Sequence, residues 1–483
     1  MRGCSLRNPV GDESARCPFA PARLSAGEEI LLTGRRLLHS AIAGGDVMHK
    51  RAKHATPRLW WLSPVLVSLS VAAVSIVPTA LLGDDVFRAL WRTPKSVTAH
   101  TLFLFGCGAA AIAFGSLVAI ALTRGDRSLS AEWPALDQRS AHLLRRAGTL
   151  LTTLTVTGYA GFAFLIARKG ISPAALLSPT NDSGAPVRDS IGTIPGVTTM
   201  TQFGLAAVVI SSVLLANEYS RSELAKLLTV IGLALPRTYI FSERLAIIEL
   251  VVPVGVVLAA RVAAQRGTGR RVAQFLPVVS LVALLVMFGA FEYFRSWNYY
   301  RDHTTMSYPQ FVLSRFAGYY TTALNNGHLV LSHLQWPNRL PFDTLDGFWS
   351  APGILSAHLY ERLGGHVPPY RPIGDSLYFG VLEQFGNPEF NNQSGYVGPF
   401  VDYGTVGGIL CCLAIGLVAG FLYSSFRQAK TFGLLFYPLF FLGLLEMPRY
   451  LYWPQGRATY AWIALLIVGV SLARSRAKVG GRP

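Results

Sequence analysis

The sequence predicts an all-α fold: a polytopic membrane helical bundle of about ten transmembrane helices, with one long extracytoplasmic loop containing short helices. Three observations lead there. Apolar runs long enough to cross a bilayer recur along the 483 residues. Lys and Arg gather in alternate connections between these runs, and one connection, about 292–398, has the size of a domain. The composition agrees, with 51% hydrophobic and only 14% charged residues and a mean hydropathy of +0.38; a soluble chain carries roughly a quarter of its residues as charges.

A bilayer core about 30 Å thick takes roughly 20 apolar residues of helix. Ten runs meet or approach that length: 61–82, 101–122, 148–167, 199–216, 224–240, 245–263, 275–291, 399–423, 432–447 and 458–472. Pro236 interrupts the fifth, and the ninth is short before Pro448. The domain plan that follows is a tail over 1–57, seven membrane helices over 58–291, the loop 292–398, three further helices over 399–472 and a basic tail over 473–483.

The formal net charge of +17 does not make this a nucleic-acid binder, because the basic residues form short clusters between apolar runs and not one stripe. Their placement is a topology signal. Inner segments carry Lys50, Arg51, Lys53 and Arg58; Arg124, Arg127, Arg139, Arg145 and Arg146; Arg261, Arg266, Arg270 and Arg271; Arg427 and Lys430; and Arg474, Arg476 and Lys478. Both termini are thereby expected in the cytoplasm and the long loop outside. Arg88, Arg92 and Lys95 run against the bias and are partly offset by Asp84 and Asp85. The stretch 1–57 has no signal-peptide pattern; it reads either as a disordered cytoplasmic tail or as upstream of a translation start at Met48. Five cysteines give no disulfide framework, since Cys4 and Cys17 lie in that stretch and Cys107, Cys411 and Cys412 lie inside apolar runs.

Within the loop, Ser307-Tyr308-Pro309 followed by Val312, Phe316, Tyr319 and Ala323 reads as an amphipathic helix entered through Pro, which Asn325-Asn326-Gly327 would end. Where the loop returns to the membrane, the chain reads NNQSGYVGPFVDYGTVGG over 391–408. This resembles the oligosaccharide repeat-unit polymerase, or O-antigen polymerase, family, in which a polar Asn/Thr segment leads to an aromatic, acidic, aromatic, Gly signature opening a membrane helix. Asp402-Tyr403-Gly404 and Gly407-Gly408 fill those places, while Gln393-Ser394 stands where the family is Thr-rich. The resemblance extends over most of the chain after residue 60 through the span count and the single long loop. Beside it stands a plainer reading, in which the glycines permit tight helix packing and Asp402 caps a helix at the interface.

A second constellation, Pro236 to Arg244, brings Arg237 and Arg244 to one membrane boundary; Arg244 and Gly255 also resemble an Arg-x10-Gly pattern of some O-antigen polymerases. Snorkelling arginines with Glu243 as partner would look the same. Further outer arginines are Arg295, Arg301, Arg315, Arg371, Arg449 and Arg457, the last two flanking the aromatic turn that holds Tyr450, Tyr452 and Trp453. Those rings suit either stacking on sugars or an interfacial aromatic belt. Glu249 and Glu446 fall inside apolar runs, where an unpaired carboxylate is expensive and an Arg partner is expected.

What the resemblance implies is transfer of a glycan from a polyprenyl diphosphate to a hydroxyl of a second lipid-linked repeat unit, in a bacterial cytoplasmic membrane. Arg244, Arg237 and Arg315 are then the candidates for the diphosphate oxygens, since guanidinium offers a rigid, permanently charged donor fork. Asp402 is the first candidate base, with Glu389, His303, His328, His333, His358 and His366 behind it. Candidates for substrate contact are Asn392, Tyr396, Tyr403, Arg449, Tyr452 and Trp453. No His/Cys/Asp cluster has metal-ligand spacing, so no metal or cofactor is implied. The implied partners are a polyprenyl-diphosphate-linked oligosaccharide and membrane lipid, with a chain-length regulator and a flippase as accessory proteins, and no nucleic acid. Two other readings stay open: an O-antigen-ligase-like or other multi-span glycosyltransferase using lipid-linked sugars, for which Asp84-Asp85 in the first outer loop would matter, and a polysaccharide or lipid transporter, which would show internal repeats.

Overall fold

A computed structural model describes residues 59–123, 136–172, 176, 191–241, 244–264, 268–365 and 377–480. The expectations for 1–58, Arg124, Arg127, Ser242, Glu243, Arg266, His366 and Arg371 lie outside the described residues, as do the side chains of Arg295, Arg476 and Lys478. Among the described residues the ordered elements are all helices.

In chain order the main ones are α1 Pro64–Leu81, α2 Asp84–Trp91, α3 Ala99–Leu122, α4 Gln138–Arg168, α5 Phe203–Asn217, α6 Arg221–Ile240, α7 Leu245–Ala263 and α8 Thr268–Glu292. After them come α9 Tyr308–His333, α10 Leu377–Phe385, α11 Val397–Arg427, α12 Thr431–Glu446 and α13 Gly456–Gly480. Local chemistry fixes several starts. Pro64 sits in the first turn of α1, Thr98 Oγ1 accepts from Thr101 N at 3.3 Å ahead of α3, and Asp137 accepts from Ser140 N at 2.8 Å ahead of α4.

Among the described residues, eight helices are long and apolar enough to cross a membrane: α1, α3, α4, α5 with its preceding 3₁₀ turn, α7, α8, α11 and α13. Two of the ten expected spans differ. The fifth is α6, which is helical but carries Arg221, Glu223, Lys226 and Arg237. The ninth is α12, whose 16 residues reach about 24 Å at 1.5 Å per residue. Almost every residue of α12 is buried, so it is apolar on all sides because protein surrounds it. α8 is the opposite case, with Val278, Val279, Val282 and Val286 all more than half exposed on the bundle's outside.

α3 and α11 pack most closely. A Cβ on Gly115 would meet the Leu413 carbonyl, and one on Gly416 would meet the Ile112 carbonyl. The close approach lets Ser116 Oγ donate to Gly416 O at 3.0 Å and Thr123 Oγ1 donate to Ser424 Oγ at 2.7 Å. Without a hydrophobic drive between helices in lipid, such small-residue contact and interhelical hydrogen bonding hold the pair. α11 itself is broken at Gly404, whose φ of 71° and ψ of −174° separate the turn holding Asp402 from the long apolar part.

The loop helix is longer than its sequence suggested. Ser307 N donates to Gln310 Oε1 at 3.0 Å at its start, but α9 passes straight through Asn325-Asn326-Gly327 to His333. Asn325 Oδ1 accepts from Ser96 N and Val97 N at 2.8 and 2.9 Å, and its amide donates to Pro94 O. Asn326 donates to Phe390 O and, at 3.0 Å, to Asn392 O. The two amides satisfy backbone groups of neighbouring segments, so they join α9 to the chain before α3 and to the chain before α11. Together with Trp91 Nε1 donating to Ser314 O at 2.9 Å, they seat α2, α9 and the returning loop at one end of the bundle, the loop end.

Gly416→Ala should destabilise the detergent-solubilised protein by about 1–3 kcal/mol, the usual cost of overpacking. A melting curve unchanged from wild type would show that α3 and α11 can separate freely.

Candidate functional site

A half-open cavity of about 1940 Å³ runs along the bundle up to the loop end. Its long wall is apolar, built from Leu66, Val67, Val71 and Val74 of α1, Ile248, Val251 and Val252 of α7, and Leu281, Leu284 and Met287 of α8. Its far end is polar, lined by Arg244, Tyr319, Tyr320, Glu389, Asn392, Glu446, Arg449, Tyr450 and Arg457.

The polar end is assembled from helix termini. Arg244 immediately precedes α7, and Glu292 closes α8; the two side chains pair, with 11% of the first and 0% of the second exposed. Arg244 also lies over the Phe288 ring at 4.1 Å and the Tyr319 ring at 5.2 Å. Arg315 of α9 approaches Glu292 from the other side at 3.5 Å and pairs with Glu389 at 2.5 Å. Tyr300 donates to Glu389 at 2.9 Å, and Arg92 lies over the Tyr300 ring at 5.0 Å. A second group rises from the α12–α13 connection: Arg449 pairs with Glu446 at 2.8 Å, and Arg457 stands 3.7 Å from Glu249, which also accepts from Tyr452 at 3.3 Å. Tyr319 joins the groups, because Arg449 lies over its ring at 5.4 Å.

Burial makes a partner necessary for Glu249, Glu292 and Glu446, since a carboxylate removed from water without one is heavily penalised. It also moves the loop's titrating groups. Burial opposes the charge on Arg315, but Glu389 and Glu292 outweigh it and hold the guanidinium more firmly protonated. Burial, then the Glu389 carboxylate, raises the Tyr300 phenol, and burial with Glu446 nearby pushes Tyr320 up to about 12. These phenols stay neutral donors at neutral pH.

Of the candidates from sequence, Arg244, Glu389, Asn392 and Arg449 line the cavity. Arg315 stands behind Glu389. Arg237 is not in the lining; it donates to Thr201 at 3.2 Å from α6. Tyr396 is buried against Phe105, their ring centroids 6.0 Å apart. Tyr452 is buried on Glu249, and Trp453 stacks on Phe440 at 4.6 Å while donating to its carbonyl. Tyr403 meets the Thr344 hydroxyl at 2.9 Å. The described histidines bond or stack elsewhere: His303 on Tyr299, His328 with Thr101, His333 on Phe385 and His358 beside Glu361.

Asp402 is 4% exposed and outside the cavity lining. Its Oδ1 accepts from Asn338 Nδ2, Phe342 N and Asp343 N at 3.0, 2.8 and 3.1 Å, and its Oδ2 from Thr344 N and Oγ1, both at 2.7 Å. Five donors leave its oxygens occupied by one loop, 338–344, which contributes Phe342 to the cavity. Geometry thus gives Asp402 the work of a loop anchor and leaves Glu389, among the sequence's candidate bases, as the one in the cavity wall. Sequence reading overlooked Glu292, although a carboxylate ending an apolar run was a usable signal. Comparison with protein-family models finds no match to this chain, and neither do comparisons with curated proteins and with solved structures.

Asp402→Asn keeps one acceptor oxygen and puts an NH2 donor in the place of the other, against the Thr344 N–H even in the better orientation, and should cost about 1–3 kcal/mol of stability, the scale of leaving a buried donor unmet. Glu292→Ala, which strips the shared partner of Arg244 and Arg315, should cost about 3–5 kcal/mol. Wild-type melting temperatures and membrane abundance for both variants would contradict these assignments.

Proposed function

We propose that this protein is a membrane glycan polymerase, a glycosyltransferase that joins polyprenyl-diphosphate-linked oligosaccharide repeat units at the outer face of a bacterial cytoplasmic membrane. One observation carries the reading: a single cavity runs from an apolar wall along α1, α7 and α8 to a polar end lined by Arg244, Arg449 and Arg457. A polyprenyl diphosphate has that polarity, a long hydrocarbon followed by concentrated negative charge and then sugar. The aromatic-acidic-Gly signature at Tyr403 and Gly404 adds a family resemblance, and the basic bias of the connections at the other end supports an outward-facing loop and ten crossings, with α6 and α12 completing them.

In the proposed reaction the acceptor hydroxyl oxygen bonds to the donor's anomeric carbon as the bond from that carbon to the diphosphate oxygen breaks. The leaving diphosphate gains negative charge, which the guanidinium forks of Arg244 and Arg449 meet with paired N–H donors. Glu389 lines the cavity and takes the hydroxyl proton. Arg315 and Tyr300 hold that carboxylate in place. Asn392 and the tyrosines of the polar end offer amide and hydroxyl groups to the sugars.

Purified protein supplied with lipid-linked repeat units should form polymer, and Glu389→Gln should slow it by roughly 10²–10⁴-fold, the range for losing a general base. Arg244→Lys and Arg449→Lys keep the charge but lose the fork, and should each fall at least about tenfold at matched folded protein. Absence of polymer from the wild type, or unimpaired turnover by these variants, would overturn the reading. Orientation has its own test: an impermeant thiol reagent outside intact cells should label a Cys placed at His333 and spare one placed at Arg270, and the reverse pattern would invert the topology.

A further inference from the structure

Sharing no lining residue with the cavity, a second concave site of about 780 Å³ lies between α4 and the start of α6. α6 has 20 residues, about 30 Å of rise, and its last turn leads to Arg244, so this groove sits at the bundle end opposite the loop. His142, Arg145, Arg146, Thr149, Leu150 and Thr153 form one stripe of α4 along the groove, at helical three- and four-residue spacing. The facing wall is the α5–α6 connection and first turn of α6, with Lys226 at the floor.

The floor is built. Glu223, 2% exposed, is held by Lys226 at 2.6 Å and by Ser211 Oγ at 3.2 Å, and Lys226 also donates to Thr149 at 3.0 Å. That pair is internally balanced. The rim is not: Arg145 reaches Glu218 only at 3.4 Å across an exposed contact, and Arg146 is exposed and forms no ion pair among the described residues. Arg139 and Arg221, both exposed, add charge at the same end. One turn beyond Arg146 the stripe loses its charges and carries Thr149, Leu150 and Thr153, with Leu150 60% exposed and, outside the groove on α6, Leu228 57% exposed. Cations at the mouth and apolar helix surface directly below match a phospholipid, phosphate above and acyl chains beneath.

We infer that this groove is a binding site for an anionic membrane phospholipid, its headgroup phosphate held by Arg145 and Arg146 and its chains lying along Leu150 and Thr153. The site would tie the α4–α6 end of the bundle to an anionic leaflet, and it does not depend on what the cavity at the loop end does. The lipid is favoured over free phosphate because the exposed cations are partly shared with Glu218, whereas Leu150 below them adds an apolar contact that only a lipid can fill.

The test uses the intact purified protein in neutral detergent, with native mass spectrometry and thermal shift on adding dioleoyl phosphatidylglycerol, dioleoyl phosphatidylcholine or inorganic phosphate. Phosphatidylglycerol should bind and raise the melting temperature, and the other two should do neither. The double variant Arg145→Gln/Arg146→Gln, at exposed positions, should bind phosphatidylglycerol at least about tenfold more weakly, as expected for two interfacial cations. Thr153→Trp, which fills the apolar part, should weaken it as well, while Arg271→Gln, an exposed cation elsewhere, should not. Equal binding of phosphatidylcholine, equal stabilisation by phosphate, or undiminished lipid binding by the double variant would each overturn the inference.

Discussion

The cost of holding carboxylates at membrane depth organises the loop end of this protein. Glu249, Glu292 and Glu446 are each less than a tenth exposed, and each is met by an arginine from a different part of the chain or one turn away. Because a lone buried carboxylate would be strongly disfavoured, the helix termini bearing these groups must converge. The start of α7, the end of α8, the middle of α9 and the α12–α13 connection are thereby drawn to one place, and the cavity is the space they leave between them.

The loop that closes this end is held by polar side chains serving backbone groups. Asp402 gathers the N–H groups of 342–344, Asn325 those of Ser96 and Val97, and Asn326 the carbonyls of Phe390 and Asn392. Irregular backbone next to a membrane needs such partners, since an unpaired peptide group there has no water to turn to. The cavity's aromatic and amide lining at Phe342, Asn391 and Asn392 is consequently fixed by residues that never face it.

Helix positions were legible because membrane burial writes itself as long apolar runs, and every expected run coincides with a helix. The two that differ do so for physical reasons: α12 is sheathed by protein and need not reach bilayer length, and α6 carries charges at both ends. Asn325-Asn326-Gly327 read as a stop because Asn and Gly favour helix ends, yet tertiary partners at positions 94–97 and 390–392 reward continuation. Arg244 and Arg449 were legible as cations at the ends of apolar runs, where the structure places them beside the cavity. Their carboxylates were legible only where the sequence isolates them in an apolar run, as with Glu249 and Glu446. Asp402 was correctly singled out as an unusual boundary acid, but its donors lie 58–64 residues earlier in the chain, a separation at which no local pattern announces that its lone pairs are spent.

Charge balance at the polar end constrains the chemistry proposed there. Arg244, Arg315, Arg449 and Arg457 face Glu292, Glu389, Glu446 and Glu249, so these eight groups sum to zero before any substrate arrives. The proposed diphosphate would meet guanidinium groups already paired with carboxylates, and so no surplus of positive charge to trap it. Proton uptake by Glu389 changes that. Once its carboxylate is neutral, Arg315 and the groups behind it carry an excess of one positive charge, at the moment when the departing diphosphate acquires an additional negative one. In the proposed reaction, the same proton transfer that activates the acceptor would thus raise the field that stabilises the leaving group, the differential, transition-state-timed interaction that a catalyst requires.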